Sequence, residues 1–507
     1  CFFFFMDLWL QSKLLLVLLP FLLLLLLPRP ASCWRREEFR NCDQTPFCKQ
    51  ARASVAGSSN YTVSDVSIVD GGVQATLYPF IHPKVEANDG EVKESKLHTP
   101  LLLELTVYSD GILRIQIDEK YDEEEKTKRR RRFRVPDVIE TSLDDKKLWL
   151  QNVVEKKGEG GESIFFLASR VEVHILHSPF ELYVKEGGKR ILSFNSKGLF
   201  RFETLEKKEE GDQWEESFRS HTDSRPYGPQ SISFDISFHE AHHVYGIPEH
   251  ATSLPLKPTR GPEISSEPYR LFNLDVFEYI EESPFGLYGS IPFMLSHGSD
   301  RTTGFFWLNS AEMLIDVLGK GWEEEKDSSN EDADSLVTDS QIDTQWIAES
   351  GIIDAFFFIG PTPKDILRQY TTVTGLPVMP QYFSIAYHQC RWNYKDEDDV
   401  YHVDASFDEN DIPYDVLWLD IEHTDGKRYF TFDKSLFPHP VEMQNKLQAK
   451  GRHMVTIVDP HIKRDDGFFL HKEATTKSYY VKDVHGRDYD GWCWPGSSSY
   501  IDMLDPQ

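Results

Sequence analysis

The sequence predicts a multidomain chain, an antiparallel β-sandwich followed by the first part of a (β/α)8 barrel. Between about residue 60 and residue 346, short apolar runs follow one another, broken by turn residues and charged inserts, as in an all-β domain. Beyond residue 361 the pattern changes to strand, helix, strand, helix, strand, which requires a parallel sheet. The length of 507 residues, 40% of them apolar, is enough to bury several cores without help from metals.

Within the sandwich, Leu101–Tyr108 and residues 112–118 flank Ser109-Asp110-Gly111, a short hairpin signal. Residues 180–184 and 191–194 flank Glu186-Gly187-Gly188-Lys189, a second hairpin. Residues 231–238 alternate polar and apolar, as a half-buried strand does. Charged inserts at 122–134, 155–162, 206–216 and 323–343 separate the strands. The run Arg129 to Arg132, flanked by Glu123 to Glu125, reads as a solvated loop rather than a nucleic-acid patch.

In the second half, Thr362-Pro363-Lys364 opens a helix over 365–374 that Gly375-Leu376-Pro377 ends. Strand 383–387, helix 397–410, strand 415–419, helix Pro440–Ala449 and strand 454–458 follow. Each strand has polar or aromatic residues beyond its carboxyl end: His388 to Asn393, Asp420 to Asp425, and Asp459 to His461. In a barrel those ends carry the chemistry. A long aromatic loop at 479–500 closes the sequence, and three strands do not complete a barrel of eight. The expected division is 1–32 signal peptide, 33–59 cysteine-containing segment, 60–360 sandwich and 361–507 incomplete barrel.

Residues 14–27 are apolar except Pro20, preceded by Lys13 and followed by Arg29 and the small pair Ala31-Ser32. As a helix this stretch rises about 21 Å, short of the roughly 30 Å of a bilayer core, so it reads as a secretory signal peptide. Met6 is the expected start, with residues 2–5 as upstream read-through. No later stretch is apolar enough to span a membrane. After the signal come Cys33, Cys42, Cys48, Cys390 and Cys493; Cys42 and Cys48, six apart in a polar loop, are the favoured disulfide, and the pairing of the others stays open. Asn60-Tyr61-Thr62 is a sequon for N-glycosylation. The balance of 83 acidic against 55 basic side chains, a net charge of −28, argues against nucleic acid as partner.

Asp420 directly follows Val416-Leu417-Trp418-Leu419. A carboxylate held at the mouth of a barrel can accept hydrogen bonds from vicinal sugar hydroxyls, or serve merely as a helix cap. Trp392, Trp492 and Trp494 offer flat apolar faces of the kind that sugar C–H surfaces pack against.

Beyond these patterns lie specific motifs: Phe39-Arg-Asn-Cys42-Asp-Gln-Thr-Pro-Phe-Cys48, Tyr245-Gly-Ile-Pro-Glu-His250 and Tyr269-Arg-Leu-Phe-Asn-Leu-Asp275-Val-Phe. Arg391-Trp-Asn-Tyr394, Trp418-Leu-Asp-Ile-Glu-His423, Ile457-Val-Asp-Pro-His461 and Gly491-Trp-Cys-Trp-Pro-Gly496 follow. In this order they resemble glycoside hydrolase family 31, in particular its branch of N-glycan-processing enzymes of the endoplasmic reticulum (ER). The resemblance runs from about Trp34 to Gln507 and makes the sandwich galactose-mutarotase-like. It implies a retaining α-glucosidase that removes terminal α-1,3-linked glucose from glucosylated high-mannose N-glycans in the ER lumen. A non-catalytic β subunit is the implied partner; no cofactor and no metal are expected.

Residue by residue, the resemblance implies that Asp420 holds glucose hydroxyls, with Ile421 beside it, Trp392 and Trp494 as aromatic walls and Ile457 as an apolar wall. Asp275 would help bind the next sugar. The family's nucleophile lies in a Trp-Asn-Asp-Met-Asn-Glu stretch that does not occur in this sequence, and Tyr500-Ile-Asp-Met-Leu-Asp505 lacks its Trp, Asn and Glu. The nucleophile and the acid/base are therefore expected beyond Gln507, the chain reading as an inactive amino-terminal fragment. The alternative is a non-catalytic or truncated carbohydrate-binding form. A β-rich interaction module would explain the sandwich but not the barrel strands.

Overall fold

The computed structural model describes residues 39–506 except 60, 70–71, 80–98, 122–130, 149–152, 157–160, 169–170, 206–214, 219–220, 224, 226–227, 263, 275–279 and 323–339. The expected signal peptide, Cys33, Asn60 and Asp275 lie outside the described residues. Two compact units divide between Leu376 and Pro377.

In the first unit the described strands form two large sheets, one of eight strands and one of twelve, and a separate two-stranded ribbon. Leu101–Tyr108 shows why they form: Leu101, Leu103, Leu105 and Val107 are buried, and Leu102, Glu104 and Thr106 between them are half-buried. Its neighbour Ile112–Glu119 buries Leu113, Ile115 and Ile117 on the same core. Asp110 and Gly111 turn the chain between them at φ of 65° and 77°. In the second hairpin Gly187 and Gly188, both at positive φ, link the paired residues Glu186 and Lys189, the backbone of a two-residue type I′ turn. The inner faces of both sheets share one core, centred on the fully buried Trp307 and Trp346. Their indole N–H groups stay satisfied, Trp307 donating to the Ile352 carbonyl at 2.9 Å and Trp346 to the Thr344 hydroxyl at 3.0 Å.

Two expectations are corrected here. The alternating strand is not half-buried: all seven residues of Ile232–Phe238 are buried. It lies in mid-sheet between Lys189–Phe194 and Ile342–Ala348, and the segment 195–200 covers its polar face. Asp235 there accepts the Lys197 and Leu199 N–H groups at 2.8 and 2.9 Å. Nor is the arginine run solvated throughout, because the Arg132 side chain is fully buried. Its guanidinium donates to the carbonyls of Gln230, Gly351 and Glu203, lies 3.3 Å from the Glu119 carboxylate and sits over the Phe202 ring. These partners satisfy a charge that burial would otherwise forbid.

Burial gives this strand region two opposed pH dependences. It raises the Asp235 carboxyl to about 7 and lowers the nearby His239 imidazole to about 4, the latter reinforced by Arg190. Between pH 4 and 6.5 folding retains a proton on Asp235 that the unfolded chain gives up, so this term weakens stability as pH rises. Over the same window the unfolded chain binds a proton on His239 that the fold excludes, so that term strengthens it. Urea midpoints of the whole chain should therefore rise with pH in Asp235→Asn and fall with pH in His239→Gln. Parallel profiles for the two variants would refute the assignment.

Near the amino end Cys42 and Cys48 are disulfide-bonded, and Cys42, Phe47, Cys48 and Ala51 pack with Leu314 and Ile347. Arg52, closing helix Pro46–Arg52, makes a two-point contact with the fully buried Asp316 at 2.9 and 3.0 Å.

The helix after the sandwich spans Pro363–Thr374, its amino end closed by reciprocal bonds between Thr362 and Asp365. Ile366 and Val373 bury against Phe293, Phe306 and Phe358 of the sandwich. This packing is why the units divide after Leu376 and not at residue 361.

In the second unit the strands His388–Gln389, Val416–Leu419 and His453–Thr456 form a parallel sheet in that order. Helices Glu397–Glu409 and Pro440–Ala449 connect them, with Asp396 capping the first at 2.8 Å. Leu417, Leu419, Val400, Met443 and Leu447 are buried in one cluster. The expected strand over 383–387 is corrected: Tyr382–Ile385 is a 3-10 turn, and the strand has two residues. Local bonds decide this, the Ser384 hydroxyl and N–H both donating to the Gln381 carbonyl. The late segment is not all loop either, since Ser498–Tyr500 pairs antiparallel with His461–Lys463.

Candidate functional site

Side chains alternate along the second parallel strand. Leu417 and Leu419 enter the cluster with the helices, which leaves Trp418 and Asp420 on the other face. Asp420 Oδ1 accepts the Ile421 N–H at 2.7 Å and so caps the 3-10 turn Ile421–His423. The capping role is therefore real, and it uses one oxygen. Oδ2 has no hydrogen-bond partner among the described residues, which leaves it able to accept from a ligand. The His423 imidazole, donating to the Asp420 carbonyl at 2.6 Å, fixes the backbone there.

The neighbouring strands flank this carboxylate. Beyond the first, Trp392 is 72% exposed and its indole N–H donates to Glu422 Oε1 at 2.7 Å. Trp418 donates to His388 Nδ1 at 2.8 Å, so that nitrogen carries no proton and Nε2–H donates to the Phe383 carbonyl at 3.1 Å. Beyond the third strand the Ile457 N–H bonds to the Leu419 carbonyl at 3.1 Å, which holds Ile457 alongside Asp420. Two residues on, Asp459 Oδ2 accepts both the Tyr429 hydroxyl at 2.6 Å and the Trp494 indole N–H at 3.0 Å. Burial, together with Asp459, holds the Tyr429 phenol above its ordinary range, so it stays a donor. His461, almost fully buried, meets Trp494 edge-on at 5.5 Å, and burial lowers its pKa.

Asp420, Ile421, Trp392 and Ile457 thus fall just after the carboxyl ends of three adjacent strands, and Trp494, from the late segment, is tied to the third of them through Asp459. Trp492 is 71% exposed. Cys390, whose thiol is raised by burial and by the Asp420 charge, and Cys493 are not disulfide-bonded. Sequence reasoning assigned no role to Glu422, Tyr429 or Asp459. Glu422 and Asp459 stood in the motifs and could have been found there, whereas nothing local marks Tyr429. Among the described residues no group of three or more His, Cys, Asp or Glu is placed to hold a metal ion.

The fold has known counterparts. Residues 102–316 match the glycosyl hydrolase 31 N-terminal galactose mutarotase-like domain, and residues 377–507 match the glycosyl hydrolases family 31 TIM-barrel domain. The chain belongs to glycoside hydrolase family 31. The start of the second match coincides with the start of the second compact unit of this family-31 chain. It is 60% identical over 485 residues to the "Probable glucan 1,3-alpha-glucosidase" of Arabidopsis thaliana, covering 94% of this chain and 51% of that relative. It is 38% identical over 518 residues to the neutral alpha-glucosidase AB of Homo sapiens, covering 93% and 51%. Among solved structures, a glucosidase II alpha subunit bound to alpha3-Glc2 matches with TM-score 0.78 and 38% identity over 92% of this chain and 51% of its own. A heterodimeric complex of the ER glucosidase II catalytic subunit and the binding domain of its regulatory subunit matches with TM-score 0.77 and 39% identity, over 92% and 52%. The chain spans about half the length of the curated relatives it matches.

Proposed function

We propose that this family-31 chain serves a retaining α-glucosidase of N-glycan processing, which removes terminal α-1,3-linked glucose from glucosylated high-mannose glycans in the ER lumen. The observation that carries the reading is Asp420: a carboxylate fixed at a strand end by one oxygen, with the other open, while carboxylates after the same and the next strand, Glu422 and Asp459, hold the indoles of Trp392 and Trp494. Such a group accepts hydrogen bonds from vicinal hydroxyls while the indoles cover the apolar face of the sugar. Trp392, Ile421, Ile457 and Trp494 are assigned as the walls; the role expected for Asp275 falls on a residue outside those described. The names of the relatives support α-1,3-glucosidase specificity.

In this reading Asp420 binds and orients and is not the nucleophile. A retaining mechanism needs two carboxyl groups about 5 to 5.5 Å apart, one forming the glycosyl-enzyme and one serving as acid and then base. That pair is assigned to residues outside this sequence. A regulatory β subunit is the proposed partner, by analogy with the heterodimeric relative. The expected signal peptide and Asn60 glycosylation suit a lumenal protein, as does the Cys42–Cys48 bridge.

The test is glucose release from a glucosylated high-mannose glycan and from a chromogenic α-glucoside. The full-length gene product should hydrolyse both, and the 507-residue chain neither. Hydrolysis by the 507-residue chain would overturn the assignment of the carboxylate pair. Glucose binding without hydrolysis by the full-length product would favour the second reading, a carbohydrate-binding form.

A further inference from the structure

We propose that Asp459 is a positioning residue for the sugar site, its carboxylate clamping the Trp494 indole and the Tyr429 phenol together so that the aromatic wall is set before ligand arrives. The inference rests on the proposed glucose-binding role of Trp494. Asp459 joins three separate stretches of chain: its own, after the third parallel strand; that of Tyr429, between Asp420 and helix Pro440–Ala449; and the late segment of Trp494.

Trp494 needs such an anchor. It sits with Pro495 at the tip of a tight turn whose backbone bonds run between Cys493 and Gly496, at 2.9 and 2.8 Å. Among the described residues its own backbone groups make no hydrogen bond, so the turn does not orient the ring. The indole is placed by side-chain contacts instead: the bond to Asp459, the His461 edge at 5.5 Å, the Tyr429 ring at 6.1 Å and the Lys427 ammonium 5.7 Å away. Only the first of these is a hydrogen bond, and it goes to a charged acceptor, the stronger kind. Tyr429, itself buried, shares the same Oδ2 atom and so ties that acceptor to the packed interior. The Glu422–Trp392 pair repeats the device at the first strand, on a far more exposed indole with one donor in place of two.

A double-substitution cycle on the full-length gene product, read by calorimetric glucose binding, separates positioning from bulk stability. Asp459→Ala should weaken glucose binding about tenfold, the size expected for one charge-assisted hydrogen bond. Trp494→Phe, which keeps a ring but has no N–H, should do about the same. The double variant should be no weaker than roughly twofold below the single ones, because each removes the same bond. Asp459→Asn, whose carbonyl oxygen can still accept both donors, should stay within about threefold of the parent. A second readout needs no ligand: the indole N–H resonance of Trp494, identified by its loss in Trp494→Phe, should move in Asp459→Ala. Fully additive losses, or an indole resonance that does not move, would overturn the clamp. If the parent fails to bind glucose, the functional reading falls, and the resonance still decides whether the clamp exists.

Discussion

Replacing Asp420 with asparagine in the full-length gene product should lower glucose affinity and kcat/KM about 10²- to 10⁴-fold while the protein stays folded. The size follows from losing two charge-assisted hydrogen bonds to sugar hydroxyls, each worth about 1.5–3 kcal/mol. Asparagine is the informative substitution because it caps a helical turn as well as aspartate does, so the Ile421 N–H keeps its acceptor. Alanine would also remove the cap, adding about 1 kcal/mol of instability unrelated to sugar. Titration with glucose and hydrolysis of a chromogenic α-glucoside, with a melting curve alongside, check this. An asparagine variant that binds glucose within threefold of its parent would remove Asp420 from the site.

The second large effect lies in the sandwich. Arg132→Ala should destabilise the chain by about 3–5 kcal/mol, since it leaves the Glu119 carboxylate buried without its counter-ion and three carbonyls without a donor. Arg131→Ala, at the exposed neighbour, should stay within about 0.5 kcal/mol of the parent. Urea unfolding followed by near-ultraviolet circular dichroism compares them. Equal midpoints for the two variants would contradict the burial of Arg132.

The contrast between these neighbours shows what sequence reasoning can reach. A run of arginines has one local pattern, and only the distant carbonyls of Gln230 and Gly351 distinguish Arg132 from Arg131. Strand Leu101–Tyr108 and its hairpin were legible because alternation and an Asp-Gly turn are local signals. The mostly apolar residues 383–387 fit the same template, yet Ser384 bonds back to the Gln381 carbonyl and Tyr382–Ile385 forms a 3-10 turn. At the candidate site, the position of Asp420 directly after a strand was legible in the sequence, whereas the walls were proposed from a family resemblance alone. The Asp459 clamp was not, because Tyr429 and Trp494 stand 30 and 35 residues away and meet it only in the fold.

The disulfide-bearing helix Pro46–Arg52 has a consequence for biogenesis. Its anchor, Asp316, lies 264 residues further along the chain. At about 5–20 residues per second of synthesis, Arg52 waits roughly 13 to 50 s before that carboxylate has even been made. The five residues between Cys42 and Cys48 make a loop short enough to close within this interval, whereas the bond from Arg52 to Asp316 has to wait for it to end.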